Sequence, residues 1–260
     1  MDSKRCDAGY YCSGGSNSSR PVDFAYLTES GRWTGNAKCP VGYFCEIESK
    51  SPEPCPKGTI GIQSGAIAAE RNTSIASIEK TCIPCPAGLY CPVTGISTSE
   101  PNETGPIICP ARYYCPAGSE NPIYLCSRGH YCPKGTAAEV SCPFGQYSSE
   151  TGAENCQICP VGYFCAIHNG TIFPEMCPKG TYCDKPGTIV PTPCPPGTYN
   201  PISEPGNEPI SSDFCIGCPA GYFCGSIGIG DLTADRECEA GFICRGNSTA
   251  KDPIGLSEGI

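Results

Sequence analysis

Cysteine is the residue whose number and spacing could carry chemistry in this chain. The 260 residues include 24 cysteines and only two histidines, His130 and His168. Thiols at this density either pair as disulfides in an oxidising compartment or bind a metal such as zinc. The even count permits complete pairing, so we expect the disulfide scaffold of an extracellular or cell-surface protein.

The cysteines follow a regular spacing. Nine pairs lie six residues apart: Cys6 and Cys12, Cys39 and Cys45, Cys85 and Cys91, Cys109 and Cys115, Cys126 and Cys132, Cys159 and Cys165, Cys177 and Cys183, Cys218 and Cys224, and Cys238 and Cys244. The other six begin and end three Cys-Pro-x-Gly stretches, Cys55 to Cys82, Cys142 to Cys156 and Cys194 to Cys215. We predict twelve local disulfides that follow this grouping, each worth about 2–3 kcal/mol. Spacing alone also allows an interleaved pairing of first with third and second with fourth cysteine.

Metal binding and catalysis are the alternatives to structural pairing. Three C-x-x-C pairs begin at Cys82, Cys156 and Cys215, but zinc requires four closely grouped ligands and each pair runs into a further cysteine loop. His130 lies inside a cysteine loop and His168 lies beside a sequon, so neither comes with a nucleophile. We therefore expect no metal site, no cofactor and no enzymatic activity.

The six-apart pairs share the residues that shape a turn. Eight have Gly three residues after the first cysteine, with Arg112 as the exception, and six have Pro directly after it. Cys-Pro-x-Gly favours a type I β-turn with proline second and glycine fourth. Eight pairs place an aromatic residue before the second cysteine, where Ile243 stands in the ninth, and we expect these rings to pack on neighbouring disulfides or turns.

Composition favours small repeats over one large core. The 28 prolines and 32 glycines oppose long helices and strands. We predict disulfide-rich repeats with little regular secondary structure, an elongated rod or irregular solenoid of short β-ribbons and turns. The blocks are 1–38, 39–108, 109–176, 177–237 and 238–260, and Ala66–Ile78 carries the only weak helical pattern.

Charge and hydropathy exclude two classes of partner. The net charge of −9 argues against binding to nucleic acid or to an anionic membrane surface. No apolar run approaches the roughly 18 residues of a membrane-spanning helix, so we expect no membrane insertion by this segment. The start, Met-Asp-Ser-Lys-Arg-Cys, lacks the apolar stretch of a signal peptide. We therefore expect these residues to be an excerpt of a longer precursor.

Two stretches carry a resemblance to a known family. Cys142-Pro-Phe-Gly-Gln-Tyr, running to Cys156-Gln-Ile-Cys159-Pro-Val-Gly, resembles the ephrin-receptor-like cysteine-rich repeat of extracellular proteins, and Cys194 to Gly221 repeats the pattern. Its first half is similar to the opening loop of tumour-necrosis-factor-receptor modules, which implies pairing of Cys142 with Cys156. The copy from Cys55 departs from the pattern, with a long insertion and Ile60 in place of tyrosine. Long arrays of such repeats resemble components of flagellar hairs (mastigonemes) and other protist surface coats.

Five Asn-x-Ser/Thr sequons point to N-linked glycans. They are Asn17, Asn72, Asn102, Asn169 and Asn247, and four of them follow a six-apart pair closely. If the repeats stack regularly, these asparagines recur at outward positions. We therefore expect a glycoprotein.

One segment without cysteines predicts an interface. Pro21 to Asn36 clusters Phe24, Tyr26, Leu27 and Trp33, and exposed aromatic clusters mark interfaces. We expect head-to-tail self-association through these residues, and the alternative is that the segment packs on its own repeats. The sequence thus predicts an extracellular structural glycoprotein, a subunit of a filament, flagellar hair or surface coat. The second reading is the ligand-binding ectodomain of a cell-surface receptor or surface antigen.

Overall fold

The computed structural model describes residues 5–22, 26–29, 31–65, 82–99, 101–102, 104–166 and 170–253. The chain forms two compact units, the first made of Met1–Cys126 and Cys132–Glu139 and the second of Ser127–Tyr131 and Val140–Ile260. The segment Ala66–Ile78, with its weak helical pattern, lies outside the described residues.

Each unit is built from antiparallel two-stranded ribbons. The first unit holds β1 (Tyr10–Cys12), β2 (Tyr26–Leu27), β3 (Trp33–Thr34), β4 (Asn36–Lys38), β5 (Tyr43–Phe44), β6 (Glu53–Pro54), β7 (Thr59–Ile60), β8 (Ile83–Pro84), β9 (Leu89–Tyr90), β10 (Ile107–Ile108), β11 (Tyr113–Tyr114) and β12 (Tyr124–Leu125). The second holds β13 (His130–Tyr131), β14 (Val140–Ser141), β15 (Gln146–Tyr147), β16 (Gln157–Ile158), β17 (Tyr163–Phe164), β18 (Glu175–Met176), β19 (Thr181–Tyr182), β20 (Thr192–Pro193), β21 (Thr198–Tyr199) and β22 (Ile216–Gly217). The pairs are β1–β4, β2–β3 and then each following strand with the next. The described residues include only two 3₁₀ helices, Ser212–Phe214 and Ala234–Arg236, so the predicted class of small disulfide-rich repeats is confirmed.

One seven-residue turn occurs twelve times. It begins at Cys6, Cys39, Cys55, Cys85, Cys109, Cys126, Cys142, Cys159, Cys177, Cys194, Cys218 and Cys238. Nine of these we name stapled turns, because the first residue bonds the seventh. The other three we name relayed turns, because Cys55, Cys142 or Cys194 bonds a cysteine farther along the chain. The residues after the seventh form the tail of the turn.

The turn differs from the predicted type I geometry. In the stapled turn at Cys85, the Leu89 N–H donates to the Pro86 carbonyl at 3.1 Å, so the β-turn begins one residue later than predicted. Gly88 is then its third residue, and its φ of +82° is the positive value that a type II turn requires there. The type I prediction is wrong, because the glycine is the third residue of the turn, where a positive φ is required, and not the fourth. Arg112 adopts φ +80° at the equivalent place without that freedom.

A main-chain ladder joins each turn to the next. At every junction, the N–H of the fourth residue donates to the carbonyl of the seventh residue of the following turn, and its own carbonyl accepts from that turn's first cysteine. Most junctions have two more bonds. The N–H of the seventh residue donates to a carbonyl in the tail of the following turn, and an N–H in that tail donates to the carbonyl of the first cysteine of the earlier turn. At the Cys85–Cys109 junction these four bonds are Gly88 N–H to Cys115 O (2.8 Å), Cys109 N–H to Gly88 O (2.9 Å), Cys91 N–H to Ser119 O (2.9 Å) and Gly118 N–H to Cys85 O (2.8 Å).

Contacts also reach the turn two ahead. A Cβ built on Gly88 would lie 2.5 Å from the carbonyl oxygen of Gly135, in the tail of the second turn along. Gly58 meets Gly118 in the same way at 2.6 Å. The fourth residue is therefore glycine for close packing as well as for its φ.

The buried residues are mostly the cysteines themselves. Cys39, Cys55, Cys85 and Cys194 are fully buried, and they are typical of the first cysteines, whereas the aromatic sixth residues are mostly half-buried. Each unit thus has a series of small disulfide-centred clusters in place of one large core, as the composition predicts.

Candidate functional surfaces

All 24 cysteines are paired in local disulfides, and none has a free thiol. The bonds of the stapled turns join Cys6 with Cys12, Cys39 with Cys45, Cys85 with Cys91, Cys109 with Cys115, Cys126 with Cys132, Cys159 with Cys165, Cys177 with Cys183, Cys218 with Cys224 and Cys238 with Cys244. The relayed bonds join Cys55 with Cys82, Cys142 with Cys156 and Cys194 with Cys215, over 27, 14 and 21 residues. These twelve pairs are those of the predicted local grouping, and the interleaved alternative does not occur. The pairing fits a protein of the extracellular or secreted class, since such bonds persist in oxidising compartments.

The residues considered for metal chemistry are separated. Within the described residues, no group of three or more His, Cys, Asp or Glu side chains is arranged to hold a metal ion. His130 Nδ1 lies 3.1 Å from both Ser127 Oγ and the Arg128 carbonyl, inside its own turn. His168 lies outside the described residues. None of the described residues forms a helix that is long and apolar enough to cross a membrane.

Three of the five sequons can be placed, and all three lie in tails. Asn17, Asn102 and Asn247 are exposed, whereas Asn72 and Asn169 fall outside the described residues. The Asn102 Oδ1 accepts from the Thr104 N–H at 2.9 Å and from the Thr104 hydroxyl at 3.1 Å. This bond orders the sequon and leaves the exposed amide nitrogen as the remaining polar group.

Asn247 has a second role in turn packing. In five earlier tails a glycine faces the apolar residue that precedes a first cysteine, and a Cβ built on Gly135 would lie 3.5 Å from Ile108 Cγ2. At the last junction the large and small residues change places. Asn247 occupies the tail position, and Gly217 is the residue before the first cysteine that faces it. Asn247 also has φ +66°, and its N–H donates to the Cys218 carbonyl at 2.7 Å. Its side chain therefore fills space between turns.

The candidate interface residues have different environments. Trp33 is half-buried and packs edge-on against Tyr11 and Tyr43, with ring centroids 6.4 and 5.6 Å away. Leu27 is 51% exposed on the neighbouring strand. Tyr26 lies in β2, and Phe24 lies outside the described residues. Trp33 thus packs within its own repeats, and Leu27 is an exposed apolar residue of the same ribbon.

The structure brings together a groove that sequence reasoning missed. Residues 116–121, Ile123 and Tyr124, in the tail of the Cys109 turn, enclose about 280 Å³. The Tyr124 ring stacks on Tyr114, with centroids 5.3 Å apart and planes at 24°. Ile123 and Tyr124 are 70% and 45% exposed. The available signal was the aromatic residue two positions before Cys126, a place that no other described ribbon fills with an aromatic side chain.

One side-chain pair braces the tail of the relayed turn at Cys194, residues 201–217. The Tyr163 hydroxyl donates to Glu208 Oε1 at 3.1 Å, and the Gly206 N–H donates to the same oxygen at 2.9 Å. The backbone bond from Gly206, helped by Tyr163, lowers the pKa of the Glu208 carboxyl. Burial and the bond to Glu208 raise the pKa of the Tyr163 phenol.

Comparison with known protein families and curated proteins identifies no relative of this chain. The chain matches no protein-family model, and a search of curated proteins finds no match either.

Proposed function

We propose that this chain is a structural segment of an extracellular glycoprotein, as a subunit of a filament, a flagellar hair or a surface coat. The observation that carries the proposal is the ladder, because the same two main-chain bonds recur at all eleven junctions, five in the first unit and six in the second. Main-chain bonds do not depend on side-chain identity, so such turns can be repeated in series. We propose no enzymatic role for the chain.

The local disulfides support the same function. Each stapled turn is closed by its own bond, and its Cα atoms lie about 6 Å apart, within the usual range for disulfides, as in Cys39–Cys45 at 5.9 Å. A turn whose neighbour opens therefore keeps its closed loop. Such independence suits an extracellular structural material, which cannot be refolded by cellular chaperones.

Exposed sequons support the glycoprotein part of the proposal. Asn17 and Asn102 are exposed and lie in the tails of their turns, where a sugar can be attached from solvent. Glycopeptide analysis of the natively expressed chain should find glycans on at least three of the five sequons. Bare asparagines at all five would remove this part of the proposal.

Self-association is tested best at Leu27. Replacing Trp33 and Phe24 with serine would be the obvious experiment, but Trp33 packs on Tyr11 and Tyr43, so its loss would also disturb the fold. Leu27→Ser should shorten or abolish the assemblies seen by electron microscopy and leave all twelve disulfides intact. Ile227→Ser, at a residue 63% exposed in the second unit, is the matched control and should change nothing. A chain that stays monomeric at every concentration would contradict the filament.

A ligand-binding ectodomain is the second candidate, and the groove beside Tyr124 favours it. The two functions differ in a simple observation. A structural subunit forms assemblies that grow with concentration, whereas an ectodomain remains monomeric and binds a ligand saturably.

A further inference from the structure

Tyr124 is the exception in a regular ribbon pattern. In ten ribbons, the residue two before the next first cysteine pairs across the ribbon with the sixth residue of the turn. These residues are Ala37, Glu53, Ile83, Ile107, Tyr124, Val140, Gln157, Glu175, Thr192 and Ile216. Among the described ribbons, Tyr124 alone sets an aromatic ring against an aromatic sixth residue, and its ribbon adjoins the groove.

Stacking on Tyr114 orients the exposed ring of Tyr124. The two planes are 24° apart, and Tyr124 remains 45% exposed and lines the groove. A ring that is already oriented loses little conformational freedom when a ligand covers it. Tyr124 therefore offers a fixed apolar platform with a hydroxyl at its edge.

The opposite wall of the groove is fixed in the same way. The Ser119 N–H and hydroxyl donate to the Pro116 carbonyl at 3.2 and 2.7 Å, and the Ser119 carbonyl accepts from the Cys91 N–H of the preceding turn at 2.9 Å. Gly118 adopts φ +84° within this loop. The wall is therefore held by the ladder and does not need a ligand to form.

Two polar side chains lie at the end of this wall. Glu120 and Asn121 are exposed and line the groove. The Glu120 Cγ lies above Gly58 of the turn two before, 3.0 Å from where a Cβ would stand, so its stem is placed by packing. A carboxylate accepts hydrogen bonds, and an amide both donates and accepts them.

We propose that this groove binds a pyranose ring of a carbohydrate. A pyranose has an apolar face of C–H groups, which suits the Tyr124 ring, and a rim of hydroxyl groups, which suits Glu120 and Asn121. At about 30 Å³ for each water molecule, the groove of about 280 Å³ has room for one sugar ring with its hydroxyl groups. The site is independent of the proposed filament, because a monomeric chain would bind a sugar equally well.

The experiment uses the full chain after enzymatic removal of its own glycans. Saturation-transfer NMR with diacetylchitobiose and with the free core pentasaccharide of N-linked glycans should show transfer to ring protons of at least one sugar. Tyr124→Ala should weaken binding by about tenfold or more, and Glu120→Ala should weaken it severalfold, since a few central residues dominate such sites. Ile107→Ala, the equivalent and similarly exposed position of the preceding ribbon, should stay within about twofold of the parent.

Two further arms identify the source of the sugar. In the first, the intact chain self-associates, and both glycan removal and Tyr124→Ala abolish this self-association. The bound sugar then belongs to a second copy of the chain. If only free oligosaccharides bind, the source is another molecule. Absence of any transfer, or equal binding by Tyr124→Ala, would overturn the proposal. So would a proline-rich peptide that binds with the same dependence on Tyr124 when no sugar does.

Discussion

The nine stapled turns and the three relayed turns differ in covalent structure but share one backbone. In a stapled turn the seventh residue is the bonded cysteine, whereas Gly61, Ser148 and Asn200 occupy that place in the relayed turns. All three still accept the ladder bond from the preceding turn, at 2.6, 2.8 and 2.8 Å. The ladder therefore determines the shape of the turn, and the disulfide closes a loop that the ladder has already positioned.

The seventh residue must nevertheless suit a buried position. Ser148 is 3% exposed and Asn200 is fully buried, although both are polar. The Asn200 Nδ2 donates to the Thr181 carbonyl at 2.9 Å, and its Oδ1 accepts from the Ile202 N–H at 3.0 Å. A residue that replaces the disulfide is thus either very small or satisfied by its own hydrogen bonds.

Crowding the ladder should have the largest effect on stability. Gly88→Ala places a Cβ against the Gly135 carbonyl and forces a left-handed alanine, at a combined cost of about 3 kcal/mol. Gly221→Ala has a similar φ of +90° but meets nothing within 4 Å, so it should cost only about 1 kcal/mol. Thermal unfolding with the disulfides intact measures both. Equal losses would mean that the close contact between turns contributes nothing.

The buried asparagine gives the next largest effect. Asn200→Ala leaves the Thr181 carbonyl and the Ile202 N–H without their partner, and should cost about 2–3 kcal/mol. Ser148→Ala removes one bond, from its hydroxyl to the Glu150 carbonyl, and should cost about 1 kcal/mol. Hydrogen exchange of the two relayed turns separates these local losses. If Asn200→Ala were less destabilising than Ser148→Ala, the hydrogen bonds of Asn200 would not explain why a polar residue is tolerated at the buried seventh position.

Arg112 offers a change in the opposite direction. It is the only fourth residue among the twelve turns that is not glycine, and it has φ +80°. Arg112→Gly removes the strain of a left-handed side chain and should stabilise the first unit by up to about 1 kcal/mol. Arg112→Ala is the control and should bring no gain. A destabilised glycine variant would show that the arginine side chain makes contacts that outweigh its backbone strain.

The smallest expected effect is a pH dependence of the relayed turn at Cys194. The pKa of Glu208 is lowered from its ordinary 4.5, so its contribution to stability is present above that value and is lost as the pH falls through the lowered pKa. In the parent, the urea midpoint should decrease as the pH is lowered from about 6 to about 3. Glu208→Gln should flatten this part of the curve, and the nearby control Glu204→Gln should not. An unchanged slope in Glu208→Gln would remove the carboxyl from the bracing contact.

The local features of this molecule were predicted from the sequence, although spacing alone left an interleaved disulfide pairing open. The twelve bonds, the ribbons between them and the half-buried aromatic residues all follow from features within one turn and its tail. The type of turn was mispredicted because proline followed by glycine is compatible with more than one turn type and more than one starting residue. The burial of Asn200 and the packing of Trp33 on Tyr43 depend on residues in other turns, for which a single sequence carries no signal. The groove at Tyr124 lies within one tail, and its only signal in the sequence is the aromatic residue two positions before Cys126.

The staples also limit how far the chain can be stretched under tension. A fully extended chain gains about 3.3–3.6 Å per residue, so six residues held behind a bond such as Cys85–Cys91 remove roughly 20 Å of extensible length. Cys55–Cys82 removes 27 residues at once. Under a pulling force only the tails and the unstapled insertions can lengthen, and every closed loop stays closed until a reductant opens it. A fibre of such turns would therefore yield early over a short distance and then become stiff, with an elastic limit set by the spacing of its cysteines.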